Sequence, residues 1–286
     1  MKDAPLSGPV GFSLSNPLDD FAPTLRQAAR LAPRWHRDGL GALELGFFTG
    51  FHDRVDFTGE QAAALGPLMR AIAQSGCEIW SVHLPFGTAY DLSSPCEHTR
   101  RFAVDLYSRM MDCAAEGGAR IAVAHPSAEP IAAADRSRHL EQCRRSIDEL
   151  TARSGGGLRL AIECLPRSCL CSTAQETLAL LDGTSAGLCM DTNHPHHEPP
   201  ADFIRRLAPK LITVHISDDD GVDEKHWMPG RGVIDWAGVL DALAAVPYTG
   251  AFIYELAPPS GLSQAGLDFI FNYRYLADRF AKSHGE

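Results

Sequence analysis

The sequence predicts a single (β/α)8 barrel over residues 1–286, an α/β fold with a divalent-metal site at the C-terminal mouth of its strands. Three observations carry that expectation. Short, nearly continuous apolar runs alternate with longer amphipathic ones along the chain, as parallel strands covered on both faces require. No Pro-rich linker, charge block or low-complexity tract interrupts the repeats, which favours one closed barrel over an open sheet or two domains. Six consecutive apolar runs also place a His, Asp or Glu near their ends, where barrel active sites assemble.

The expected strands are 10–15, 42–48, 78–85, 120–127, 158–166, 186–194, 211–217 and 250–258, each rich in Val, Ile, Leu or Phe. Between them lie helical patterns. In 99–116, Phe102, Leu106 and Met110 share a face and Gly117–Gly118 supplies a stop. The stretch 135–153 behaves similarly and ends in residues 154–157. A last helix over 261–280 offers Phe269, Ile270 and Tyr273 for packing or for a partner chain, so a homo-oligomer stays open.

Composition excludes several classes. With 45% hydrophobic and 22% charged residues among 286, the chain has ample material for a globular core. No run approaches the ~20 apolar residues of a membrane helix. The opening MKDAPLSGPV lacks the order of a signal peptide, and the expected location is the cytoplasm. Eight cysteines without CxxC pairing read as buried free thiols; the local group Cys164, Cys169 and Cys171 matches no zinc-ribbon spacing. A net charge of −10 without a Lys/Arg cluster tells against nucleic acid as a partner.

The ionisable residues carry the chemistry. His83 lies in WSVHLPF, His125 in IAVAHPS and Glu163 in LAIECLP. Asp191 and His194 lie in GLCMDTNH, His215 and Asp218 in LITVHISD, and Glu255 in AFIYELAP. A carboxylate in such surroundings costs several kcal/mol unless paired, hydrogen-bonded or metal-bound. Structural pairing accounts for one or two; six at one rim point to a cation. Mixed imidazole and carboxylate donors suit zinc or manganese better than magnesium or calcium, which prefer oxygen alone.

The stretches HLPFGTAYDLSSP, AHPS, AIE, GLCMDTNH, HISDDDGVDEKHWMPGRGVIDW and YEL, in that order, resemble the xylose isomerase-like barrels, which include sugar epimerases, inosose-converting enzymes and endonuclease IV. The resemblance runs nearly the full chain. In its epimerase branch it implies one metal on Glu163, Asp191, His215 and Glu255, with His194 touching substrate. In its endonuclease IV branch it implies up to three ions, with His83, His125, His194, Glu224 and His226 as further ligands. That branch carries Asp two residues before the loop histidine, where this chain has Glu224, a departure that bears on a third ion.

The resemblance therefore implies a metal-dependent isomerase or epimerase of a carbohydrate-like molecule (a sugar, sugar phosphate or polyol). Glu163 and Glu255 would move protons through a metal-stabilised enediolate. The alternatives are a multinuclear zinc phosphoesterase of the endonuclease IV type and a barrel that only binds metal or sugar. Glu44, Phe86, Trp227 and Arg231 are further candidate substrate contacts beside His194, and Asp235 is expected to cap the helix that begins at Trp236.

Overall fold

The structure, a computed structural model, describes residues 7–55, 57, 59–153, 157–246 and 248–283; residues 154–156 of the expected stop after the fourth helix lie outside these. The first half runs β1 (Val10–Pro17), α1 (Ala22–Asp38), β2 (Ala42–Phe48), α2 (Glu60–Ala73), β3 (Glu78–His83), α3 (Glu97–Gly117), β4 (Ile121–Ala124) and α4 (Arg136–Arg153). The second half runs β5 (Arg159–Glu163), α5 (Ala174–Leu181), β6 (Gly187–Asp191), α6 (Pro200–Arg206), β7 (Leu211–Ile216), α7 (Trp236–Ala245), β8 (Phe252–Tyr254) and α8 (Ala265–Ser283). The eight strands are parallel and close into a barrel, with Gly11 of β1 paired to Ile253 of β8.

Several strands end earlier than their apolar runs. Pro85, Pro126 and Pro166 lie within the third to fifth runs and Pro195 follows the sixth; having no N–H, a proline cannot continue a ladder. The residues just before these prolines therefore peel into loops at the barrel mouth. α3 closes as expected at Gly118, whose φ of 92° lies in the left-handed region. In α8, Phe269 and Ile270 are buried, and Phe269 stacks on Phe12 and Tyr254 at 5.2 and 4.8 Å between ring centres. Those side chains pack the barrel wall. No helix among the described residues is long and apolar enough to cross a membrane.

The barrel interior is plugged by a separate apolar cluster that includes Ala42, Trp80, Ile121, Val123, Ile212 and Ile253. Two β-bulges decide what stands above it. Leu43 pairs with Ile79 but Glu44 pairs with Ser81, so Trp80 is an extra residue in β3. Leu188 pairs with Leu211 but Cys189 pairs with Thr213, so Ile212 is extra in β7. Strict alternation from an inward Trp80 would turn His83 outward, and from an inward Ile212 would do the same to His215. Each bulge resets the parity, and both histidines face the interior. The bulges also meet, as Trp80 Nε1 donates to Thr213 Oγ1 at 3.1 Å.

The loop between β7 and α7 is tied down by Asp218. Its buried carboxylate accepts from the backbone N–H groups of Asp219, Gly230, Gly232 and Ile234 and from Trp236 Nε1, at 2.8–3.2 Å. Asp235 caps α7, accepting from Gly238 N at 3.2 Å. Asp218→Ala would strand several donors at once, and we expect a loss of about 3 kcal/mol or more. Urea unfolding of the variant measures this; a loss below about 1 kcal/mol would contradict the role given to Asp218.

Candidate metal centre

Alternation along each strand brings the ionisable residues to one place. β5 turns Ala161 and Glu163 inward, β6 turns Cys189 and Asp191, and β8 passes Ile253 inward just before Glu255. Glu163, Asp191 and His215 are fully buried, and His83 and His194 nearly so.

Glu163 stands at the centre. Its Oε2 lies 2.9 Å from His83 Nε2 and 3.3 Å from His125 Nε2. Its Oε1 lies 3.2 Å from His215 Nδ1 and 3.5 Å from His194 Nδ1. His215 Nδ1 is in turn 3.3 Å from Glu255 Oε2 and 3.9 Å from Asp191 Oδ2. One carboxylate thus joins a His83/His125 side to an Asp191/His215/Glu255 side. A third group forms where His194 Nε2 meets Glu224 Oε2 at 3.1 Å, with His226 alongside. Potential ligand atoms of His83, Glu163, His215 and Glu255 all lie within 4.8 Å of one another, as do those of Glu163, Asp191 and His194.

Fixed acceptors decide which ring nitrogen each histidine offers. Nδ1 of His83 donates to the Leu84 carbonyl at 2.9 Å, Nδ1 of His194 to Cys164 O at 2.8 Å, and Nδ1 of His226 to Glu255 O at 3.0 Å. Carbonyls only accept, so Nε2 is the free ligand atom in all three. His215 is reversed. Its Nε2 donates to Glu44 Oε2 at 3.0 Å, while Ser81 Oγ donates to the same oxygen at 2.7 Å, leaving Nδ1 directed at the carboxylates. Orientation by a partner on the far nitrogen is how metal-binding histidines are held.

The electrostatics reflect concentrated negative charge. Burial opposes a charged His83, yet the hydrogen bond and charge of Glu163, with Glu44 and Glu255, push it up to about 9. Burial likewise opposes charge on His194, but Asp191, Glu224 and Glu163 push it up to about 10. At His125 burial wins and the ring is held below its ordinary value. Burial would raise Glu163, but His215, His125 and His83 hold it well below the usual carboxylate range. Asp191 is raised, because burial and the neighbouring Glu255 and Glu163 outweigh His194.

The donor set fits a divalent cation. Asp191 Oδ2 and Glu255 Oε2 are buried oxygens without a hydrogen-bond partner, and both lie beside His215 Nδ1. Two such oxygens are relieved by a shared proton or by a cation. Glu163, Asp191, His215 and Glu255 would hold one ion; His83 and His125 offer donors for another across Glu163.

Two clefts open onto the centre. One of about 680 Å³ spreads over the β8, β1 and β2 ends, and one of about 290 Å³ lies over β4 and β5. Phe86, His226 and Glu255 border both. Phe86 stacks on His125, with ring centres 4.4 Å apart. Three expected substrate contacts lie elsewhere. Glu44 is fully buried beneath His215, so its carboxylate supports the imidazole and is out of a substrate's reach. Trp227 forms a backbone bridge with Asp218, Arg231 lies over its ring at 4.6 Å, and neither borders either cleft.

Arg167, which sequence reasoning passed over, borders the smaller cleft at a φ of 54°. It bridges three loops, reaching Glu129 at 2.6 Å, Asp223 at 2.7 Å and Glu224 at 3.1 Å. Glu224 is therefore held between Arg167 and His194, and it is pulled down to about 2, first by the His194 hydrogen bond. The available signal was position alone: Arg167 follows β5 at the C-terminal face of the barrel. The group of Cys164, Cys169 and Cys171 consists of buried free thiols.

Fold and site together define a (β/α)8 barrel with a His/Glu/Asp cluster able to hold a metal at the C-terminal mouth of its strands. Residues 35–273 match the model of the xylose isomerase-like TIM barrel family, and the chain belongs to that family. A D-tagatose 3-epimerase-like protein of known structure superposes with a TM-score of 0.74 at 21% identity, covering 94% of this chain and 98% of its own. A D-psicose 3-epimerase, solved in the presence of D-fructose, gives 0.69 at 20% identity over 96% and 98%. The uncharacterized protein MJ1311 of Methanocaldococcus jannaschii is 26% identical over 185 residues. That match covers 61% of this chain and 63% of the relative, less than two thirds of its length.

Metal binding has a testable sign. His215 and Asp191 are raised in the metal-free protein and must release protons before they ligate. Affinity for Zn2+ or Mn2+ should therefore climb as pH rises from 6 to 9, read by competition with a chromogenic chelator. A pH-independent affinity would refute this account of the centre.

Proposed function

We propose that the protein is a divalent-metal-dependent isomerase or epimerase of a carbohydrate-like substrate, shifting a proton on a carbon next to a carbonyl. The observation that carries this reading is the convergence of Glu163 and Glu255. They arrive from β5 and β8, and their oxygens come within 3.2 and 3.3 Å of the same His215 nitrogen. A substrate seated above that nitrogen would meet one carboxylate from each side, as proton removal and return on opposite faces demands.

The ion would sit on Glu163, Asp191, His215 and Glu255, with zinc and manganese the favoured choices for such donors. When bound, it supplies Lewis acidity toward a carbonyl and an adjacent hydroxyl. The chain's own groups do the rest. Glu44 and Ser81 lock the His215 ring, His194 holds Glu224 through Nε2 at the edge of the smaller cleft, and the apolar plug forms the floor. The likeness to a D-psicose 3-epimerase solved with D-fructose supports a carbohydrate substrate.

A phosphoester hydrolase is the second reading, favoured by His83 and His125 on the far oxygen of Glu163. Two ions sharing that carboxylate would clamp a phosphoryl group. Against it stands the mouth, where Glu129, Asp223 and Glu224 surround Arg167.

The test is isotope exchange. Metal-loaded protein incubated in D2O with D-fructose, D-tagatose and other free ketoses should place deuterium on the carbon beside the carbonyl. Glu255→Gln should slow this by at least about a hundredfold while metal content stays measurable. Hydrolysis of bis(p-nitrophenyl) phosphate without deuterium uptake into any ketose would overturn the proposal in favour of the hydrolase. Metal analysis should return at least one tightly held ion per chain, and its absence would remove the basis of both readings.

A further inference from the structure

The larger cleft differs in chemistry from the metal centre it adjoins. Phe48, Phe86, Leu14, Leu256 and Leu262 give it apolar walls, and Ser13, Ser15 and Thr24 contribute hydroxyls. Phe48 and Phe86 are 45% and 38% exposed, which leaves aromatic surface at the mouth that a ligand would cover. At about 680 Å³ the space lies well inside the range of ligand pockets and beyond what the smaller, ionisable cleft of about 290 Å³ offers.

Charge points the same way. Among the described residues bordering the larger cleft there is no Lys or Arg. The smaller cleft is bordered by Arg167, already matched to Glu129, Asp223 and Glu224, and by His194, whose Nε2 meets Glu224 at 3.1 Å. A phosphate placed in the larger cleft, away from the metal centre, would meet Glu255 on its inner edge without a Lys or Arg to receive it.

We infer that the β8–β1–β2 cleft is a subsite for an uncharged aryl or alkyl substituent, so that the substrate is an unphosphorylated keto-sugar that carries this substituent through an oxygen away from its carbonyl, with the sugar over the metal centre. The sugar's placement rests on the isomerase reading; the subsite itself rests on the cleft. A ring seated in the cleft gains contact with the exposed parts of Phe48 and Phe86 on its border, and the serine and threonine hydroxyls accommodate the linking oxygen.

Calorimetric titration of the Zn2+-loaded protein separates the possibilities without requiring turnover. Phenyl β-D-glucopyranoside should bind at least about tenfold more tightly than methyl β-D-glucopyranoside. D-fructose 6-phosphate should bind no more tightly than D-fructose. Phe48→Ala, at a half-exposed position where folding is little affected, should shrink the phenyl-to-methyl ratio to about threefold or less, and Phe48→Tyr should preserve it. Equal affinity for the phenyl and methyl glycosides, or tighter binding of the phosphate, overturns the inference. An intact aryl preference without deuterium uptake would reject the isomerase reading and keep the subsite; uptake without the preference would do the reverse.

Discussion

A carboxylate at the centre of a barrel cannot stay ionised unless neighbours compensate its charge, and the arrangement of the mouth follows from how Glu163 is compensated. Three imidazoles lie within 3.3 Å of its two oxygens, and their hydrogen bonds and charge outweigh the cost of burial. Around it Asp191 and Glu255 add negative charge that these histidines do not fully balance, leaving two buried oxygens without donors. A proton shared between those oxygens, or a cation, relieves that charge. Relief by a cation is the chemical meaning we attach to the centre.

Support for that centre is spread over the whole barrel. The β3 and β7 bulges lift His83 and His215 into the interior, and Trp80 and Thr213 tie those bulges together beneath them. Glu44 on β2 fixes the far side of His215. Farther out, Asp218 gathers the loop that carries Glu224 and His226, and Arg167 clasps that loop to the ones after β4 and β5. Each layer orients the one inside it, as expected where ligand geometry must be held closely.

The two clefts divide the mouth into a polar, carboxylate-rich half and an apolar, aromatic half, with Glu255 and His226 on the border. Such a division lets one part of a molecule be handled by charge and another by contact area, and the two can be varied independently. Epimerase-like relatives of known structure share the scaffold at about 20% identity, so differences in substrate would reside in the loops and strand ends that shape these halves.

The order of the strands and the identity of the rim residues were legible in the chain itself, because parallel strands buried on both faces leave long apolar runs in which His83, Glu163 or Asp191 stands out. Asp235 could be recognised as a cap from its place before Trp236, whereas the expected strands ran to Pro85 and Pro166 and past Pro126, and the strands stop short of all three. Which side of a strand a residue faces was not legible at β3 and β7, since an unpaired Trp80 or Ile212 changes parity without leaving a pattern in sequence. Nor could spacing show that Glu44 lies under His215, that Arg231 rests on Trp227, or that Arg167 joins three loops. Those relations join residues far apart along the chain, and only closure of the barrel brings them within bonding distance.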